Sequence, residues 1–210
     1  MISLGLFSGF IGVFMHLAGL HLPEGYDKEG LPLELECWTY EVEIKDKVAG
    51  DIEVSREQIG PQSYRYEAKS SIRHQMVIPI KVFHKFSAIF ERNLLKSARV
   101  HIEVNGRSHT DAKTLYQGYH VWHHSNGKSW QSIQETIDYS SILFYFQEPE
   151  GIEQVFSEED GTFHPLQRIG VHSYMKISPK GRKNVYHYRN GVLVKAEIDT
   201  RSIDFIIRKV

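Results

Sequence analysis

The sequence predicts an all-β, mainly antiparallel fold. A strongly curved meander sheet, or an open or half barrel, of about 11–12 strands is expected, with one short helix over residues 138–147 packed on its concave face. Three observations carry this expectation. Asn105-Gly106, Asn126-Gly127 and Asn190-Gly191 each lie between segments of alternating polarity, and Asn and Gly accept the positive φ that two-residue hairpin turns demand. Apolar and polar residues alternate with period two along most of the chain, the pattern of strands with one buried and one wet face. The alternation breaks once, at Tyr139, Ile142, Leu143 and Phe146, whose i, i+3, i+4, i+7 spacing makes one helical stripe, a strand being the alternative for so brief and aromatic a segment.

The first strand places Trp38, Tyr40, Val42 and Ile44 on one face and Thr39, Glu41, Glu43 and Lys45 on the other. A turn at Val48-Ala49-Gly50 is expected before Ile52 and Val54, and Gly60-Pro61 breaks the chain before Tyr64, Tyr66, Ala68 and Ile72. From Met76 to Phe90 both parities carry apolar residues, and Pro79 points to an edge, bulge or bend. Ala98 to Val104 lead into the first Asn-Gly turn; Ala112 to Tyr116, Tyr119 to His124 and Trp130 to Ile133 follow. Asp138 is the expected N-cap of the helix and Pro149 its terminator. Strands resume at Val155-Phe156 and continue through Phe163–Ile169, Val171–Ile177, Asn184–Arg189, Val192–Ile198 and Ile203–Ile207. Asp160-Gly161 and Ser178-Pro179-Lys180-Gly181 supply turns between them. No fixed-length repeat occurs, which argues against a solenoid or propeller. So many antiparallel strands must close or curl around a cover, and a single helical interruption fits a sheet curled around it.

The 210 residues divide into an apolar N-terminal segment or signal peptide (1–22), a linker (23–33) and a single β domain (34–210). Ile2 to Leu20 are almost wholly apolar, with His16 the one ionisable side chain, the pattern of a secretory signal or signal anchor. The run is borderline against the roughly 20 residues of a membrane span. No Lys or Arg precedes it and no small-x-small site follows it, so a buried N-terminal helix is the alternative. The expected location is the periplasm or envelope, or the cytoplasm if the segment is not a signal. With 25 basic and 26 acidic side chains, the chain lacks the concentrated basic face of a nucleic-acid binder. The single Cys37 excludes an intrachain disulfide and cannot by itself make a structural zinc site.

The run Leu143 to Gly151, then Val155-Phe156-Ser157-Glu158, Gly161 to Leu166 and Ser178 to Gly191 resemble a family of exported Bacteroidota β proteins whose domain has no known function. The resemblance covers about residues 36–208 and is most specific over 143–191. It implies export and a sheet with lipocalin-like or lipoprotein-carrier-like curvature. It brings no activity, cofactor or catalytic residue. The same motifs have a physical role as turns, with Pro165 and Gly170 shaping a corner.

Twelve histidines raise the question of a metal. On a strand, His120 and His124 share a face with Trp122 while His123 points away, so a third ligand must come from a neighbouring strand. His101 and His109 are scattered, and neither a metal nor another cofactor is expected. Glu148, Glu150, Glu153, Glu158, Glu159 and Asp160 lie in turn-rich sequence and are expected as a solvated rim rather than a glycosidase pair. No nucleophile elbow, P-loop or dinucleotide fingerprint occurs, and no catalytic residue is assigned. Inward parity gathers Trp38, Phe90 and the candidate ligand contacts Tyr40, Tyr64, Tyr66, Phe86, Tyr186 and Tyr188, which Phe144 joins from the helix. Such rings offer apolar area, and the tyrosines a polar tip; the same residues serve equally as plain core. The expected function is a non-catalytic exported protein that binds a lipid, another amphipathic small molecule or a protein partner, with membrane association only through a retained N-terminal segment. An enzyme acting on an envelope lipid or glycan is the alternative, requiring several of His120, His124, His164, Glu148 and Glu158 to converge. A structural or assembly module would instead show an exposed edge or a large apolar patch.

Overall fold

The computed structural model describes residues 34–74, 79–200 and 203–210. The expected signal segment, the linker through residue 33 and the Met76–Ile78 part of the doubly apolar stretch lie outside these residues. The first meander comprises β1 (Leu35–Ile44), β2 (Lys47–Gly60), β3 (Ser63–His74), β4 (Ile80–Glu91), β5 (Leu94–Val104) and β6 (Arg107–Gln117), then the shorter β7 (His120–Ser125) and β8 (Gln131–Ile133). A 3-10 helix, η1 (Ser141–Tyr145), separates it from the second meander. That meander runs through β9 (Gln154–Ser157), β10 (Thr162–Gly170), β11 (Ser173–Ile177), β12 (Lys183–Arg189), β13 (Val192–Ile198) and β14 (Phe205–Lys209). Fourteen strands among the described residues exceed the about 11–12 expected.

All fourteen form one antiparallel sheet in the order β8-β7-β6-β5-β4-β3-β2-β1-β14-β13-β12-β11-β10-β9. The two meanders meet where β1 pairs with β14, Val42 facing Ile207. Among the described residues the edges of the sheet are therefore β8 and β9, neighbours in sequence, and the chain passes from one to the other across the concave side, carrying η1 with it. Alternation is as expected: Tyr40, Val42, Ile52, Val54, Tyr66 and Ala68 are buried, and with η1 they belong to one hydrophobic core.

The ladder does not close into a barrel. Its ends meet through side chains instead: the His123 ring of β7 lies edge-on to Phe156 of β9, centroids 6.3 Å apart. The β9–β10 turn sits so tightly over the same imidazole that a Cβ on Gly161 would overlap it.

All three Asn-Gly pairs turn hairpins with positive φ at both residues, for example 51° and 74° at Asn105 and Gly106. Two further turns use the same geometry without glycine, at Lys45-Asp46 and Arg92-Asn93. The first replaces the turn expected at Val48-Ala49-Gly50. Gly50 lies inside β2, opposite Ile72, where a Cβ would run into the Ser71 carbonyl, so its glycine marks a close backbone approach. The helix also differs from expectation. It spans five residues, its cap is Ser140 in extended conformation with no side-chain cap bond, and Asp138 precedes it. The cause lies in β9: Phe156 N donates to Tyr139 O, and Ser140 bridges Phe156 in parallel. Residues 139–140 thus serve as the second neighbour of β9, and helix begins only beyond them.

Gly106 and Gly161 share φ of +74°, yet only Gly161 has a neighbour that a Cβ would meet. Gly161→Ala should therefore destabilise the fold by about 1–3 kcal/mol more than Gly106→Ala. Equal losses in urea unfolding would mean that the seam is not packed in solution.

Candidate functional site

So short a helix leaves most of its backbone groups without internal partners, and here they are buried in an apolar interior. The sheet provides partners for them. The Tyr188 hydroxyl donates to Phe144 O at 2.9 Å, and the Tyr40 hydroxyl lies 3.3 Å from both Tyr145 O and Leu193 O. Tyr139 donates to Gln147 O just beyond the helix. At the leading end, Ser141 N and Ile142 N point at the Glu158 carboxyl, at 3.1 and 3.5 Å. Rings complete the packing: Phe144 stacks on Tyr186 with centroids 4.0 Å apart, and Phe146 meets Trp38 and Tyr66.

Beside η1 a cavity of about 150 Å³ remains. Phe86, Val100, Phe144, Leu193, Ala196 and Ile207 form its apolar wall. Ser141, Ser157, Glu158 and Lys176 form a polar end, and His84, Tyr145, Tyr186, Ile198 and Glu159 complete the lining. Lys176, His84 and Tyr145 are enclosed by protein yet keep accessible surface, because what they face is this space.

The polar end is electrostatically unusual. Glu158 is only 1% exposed. Burial pushes its carboxyl up to about 7, against the pull of the Ile142 amide and of Lys176. Burial also lowers Lys176, opposed by Glu158, Glu159 and Asp160, and its ammonium donates to Ser141 Oγ at 3.4 Å. Burial holds His84 down to about 4, so the imidazole is neutral at physiological pH.

Of the residues expected to contact a ligand, Phe86, Phe144 and Tyr186 line the cavity. Tyr40, Tyr66 and Tyr188 lie in packed core, and Tyr64 is half-buried near the Arg56 guanidinium. The expected solvated acidic rim holds for Glu150, Glu153, Glu159 and Asp160, but Glu148 and Glu158 are buried. Both turn inward toward polar groups that turn-rich sequence does not reveal. Lys176 had a legible signal: it shares parity with the inward Tyr174, so a charge falls on an interior position.

The five groups that an enzyme would need are dispersed among separate partners. Glu148 accepts from Tyr174 at 2.8 Å and meets His172 at 2.9 Å; His164 pairs with Asp160 at 3.0 Å. His120 packs on Trp122, His124 packs on Trp130, and Glu158 faces η1. Glu148, Glu150 and His172 bring three donor atoms within 4.8 Å of one another. Hydrogen bonds from Tyr174 and His172 already engage the Glu148 carboxylate there.

A family model, Domain of unknown function (DUF6134), matches residues 40–210, and the chain belongs to that family. No curated protein matches the chain. Among solved structures, the chain is similar to a β-barrel-like protein of domain of unknown function DUF1849 from Brucella abortus. The identity is 10% and the TM-score 0.55, over 83% of this chain and 94% of that one. The likeness is one of fold.

The folded Glu158 carboxyl binds its proton more tightly than the unfolded one, whose ordinary value is 4.5. Its contribution to stability is therefore complete below pH 4.5 and is lost as pH rises through 7, a change of order 3 kcal/mol. Glu158→Gln is neutral at every pH. Urea unfolding between pH 4.5 and 8 should give a flatter stability curve for this variant than for the parent; identical slopes would contradict the burial of the carboxyl.

Proposed function

We propose that the chain is a non-catalytic binding protein of the cell envelope whose cavity beside η1 receives a small amphipathic molecule. One observation carries this reading: Glu158, Lys176 and Ser141 meet at one end of a cavity whose opposite wall is apolar. Enclosing a carboxyl and an ammonium costs several kcal/mol each before compensation, and apolar replacements of buried ion pairs are often neutral or stabilising. Such groups beside a void are better accounted for by a ligand than by folding. Binding is favoured over catalysis because the candidate acid–base groups do not converge. The envelope location rests on the apolar pattern of Ile2–Leu20.

Size restricts the ligand. The cavity of about 150 Å³ matches the engineered apolar cavity of about 150 Å³ that admits benzene, and falls below the roughly 300–1,000 Å³ of sites for drug-sized molecules. It holds about six carbons, either a whole small amphiphile or the end of a longer one.

Calorimetric titration with six-carbon amphiphiles should show saturable one-to-one binding. Ile198→Phe, which extends a lining side chain into the space, should abolish that binding with the melting temperature little changed. Absence of binding to the parent, or full binding to the variant, would refute the reading.

A further inference from the structure

We infer that the cavity ligand is a carboxylate: a short unbranched monocarboxylic acid of about six carbons, its head on Lys176 and its chain along the wall from Phe86 to Ile207. This rests on the cavity being a ligand site and specifies the head group it takes.

Lys176 enters the cavity from β11, and among the described residues its one hydrogen bond is to Ser141 Oγ. No ion pair engages it among the described residues. Glu158, the acid that acts most strongly on it, is turned to the head of η1, where Ser141 N and Ile142 N meet it. An enclosed ammonium with one long hydrogen bond to a hydroxyl lacks a charged acceptor, and a carboxylate supplies one in a charge-assisted bond.

The charged and titratable neighbours decide whether an anion is tolerated. Asp160, from the β9–β10 turn, is committed to His164 and Thr162; against partial desolvation at the rim, those bonds hold it down to about 2. Glu159 points to solvent at the rim. His84 from β4 is neutral, and burial raises the Tyr145 and Tyr186 hydroxyls, keeping them protonated. Arg182, in the turn between β11 and β12, adds positive charge close enough to lower Lys176, and its buried Nε has no hydrogen-bond partner among the described residues. The balance therefore turns on Glu158. Protonated, it leaves Lys176 as the cavity's enclosed charge; ionised, it repels a carboxylate. Carboxylate binding takes up a proton at Glu158 and weakens as pH rises through 7. An alkylamine meets the Lys176 charge and is rejected, while an alcohol leaves that charge unanswered.

Titration of the full chain with hexanoate, 1-hexanol and hexylamine at pH 6 and pH 8 separates these cases, since hexanoate is ionised at both. Hexanoate should bind about tenfold or more tighter than 1-hexanol at pH 6 and lose about tenfold by pH 8, with hexylamine not binding. Lys176→Met should remove the advantage of hexanoate while retaining 1-hexanol binding. Glu158→Gln should keep hexanoate binding and remove its pH dependence. If 1-hexanol binds as tightly as hexanoate in the parent, or hexylamine binds best, the carboxylate inference is overturned and the cavity site stands. If none of the three binds, both fall.

Discussion

The free edges of this sheet are consecutive in sequence, so the chain must cross from β8 to β9, and it crosses through the concave side. A crossing inside fills space that fourteen curled strands cannot fill with their own side chains. It also brings peptide groups into an apolar interior, where each N–H and C=O needs a partner. The partners come from both meanders: Tyr40 from β1 and Tyr188 from β12 reach the carbonyls at the end of η1, while Glu158 faces the N–H groups at its head. The inward tyrosines thus have two tasks. Their rings are core, and two of their hydroxyls anchor the crossing segment. Phenylalanine at Tyr40 or Tyr188 would keep the packing and lose the anchor.

The same crossing explains why the barrel stays open. Residues 139–140 take the place beside β9 that β8 would occupy in a closed ladder. What remains of the gap is sealed by His123, Phe156 and the Gly161 turn. His123 is suited to the place because Thr114 engages its Nδ1 at 3.0 Å and burial keeps the ring neutral by lowering its pKa.

The sheet was legible in the sequence wherever local chemistry determines it. Period-two alternation gave the inward faces of β1 to β6, and the Asn-Gly pairs gave three turns. Lys45-Asp46 and Arg92-Asn93 adopt the same positive φ without the residues that signal it, because strand pairing on both sides forces the turn. The helical stripe at Tyr139–Phe146 located the crossing segment but not its geometry, since the bond from Phe156 to Tyr139 is made between residues distant in the fold. Glu158 was hidden for a related reason. Its surroundings in sequence are polar turns, and its burial follows from η1 lying across it. Lys176 is the reverse case: the parity of Tyr174 already placed a charge indoors.

Function enters where the crossing segment and the sheet fail to fill the interior completely. The residual space has an apolar wall from both meanders and a polar end made by the head of η1, Glu158 and Lys176. The Glu158 carboxyl is enclosed there against that helix. The most direct measurement is a carbon-detected NMR titration of the Glu158 side-chain carboxyl in the folded protein. A midpoint near 7 is predicted; a midpoint at the ordinary 4.5 would mean that the carboxyl is solvated rather than enclosed.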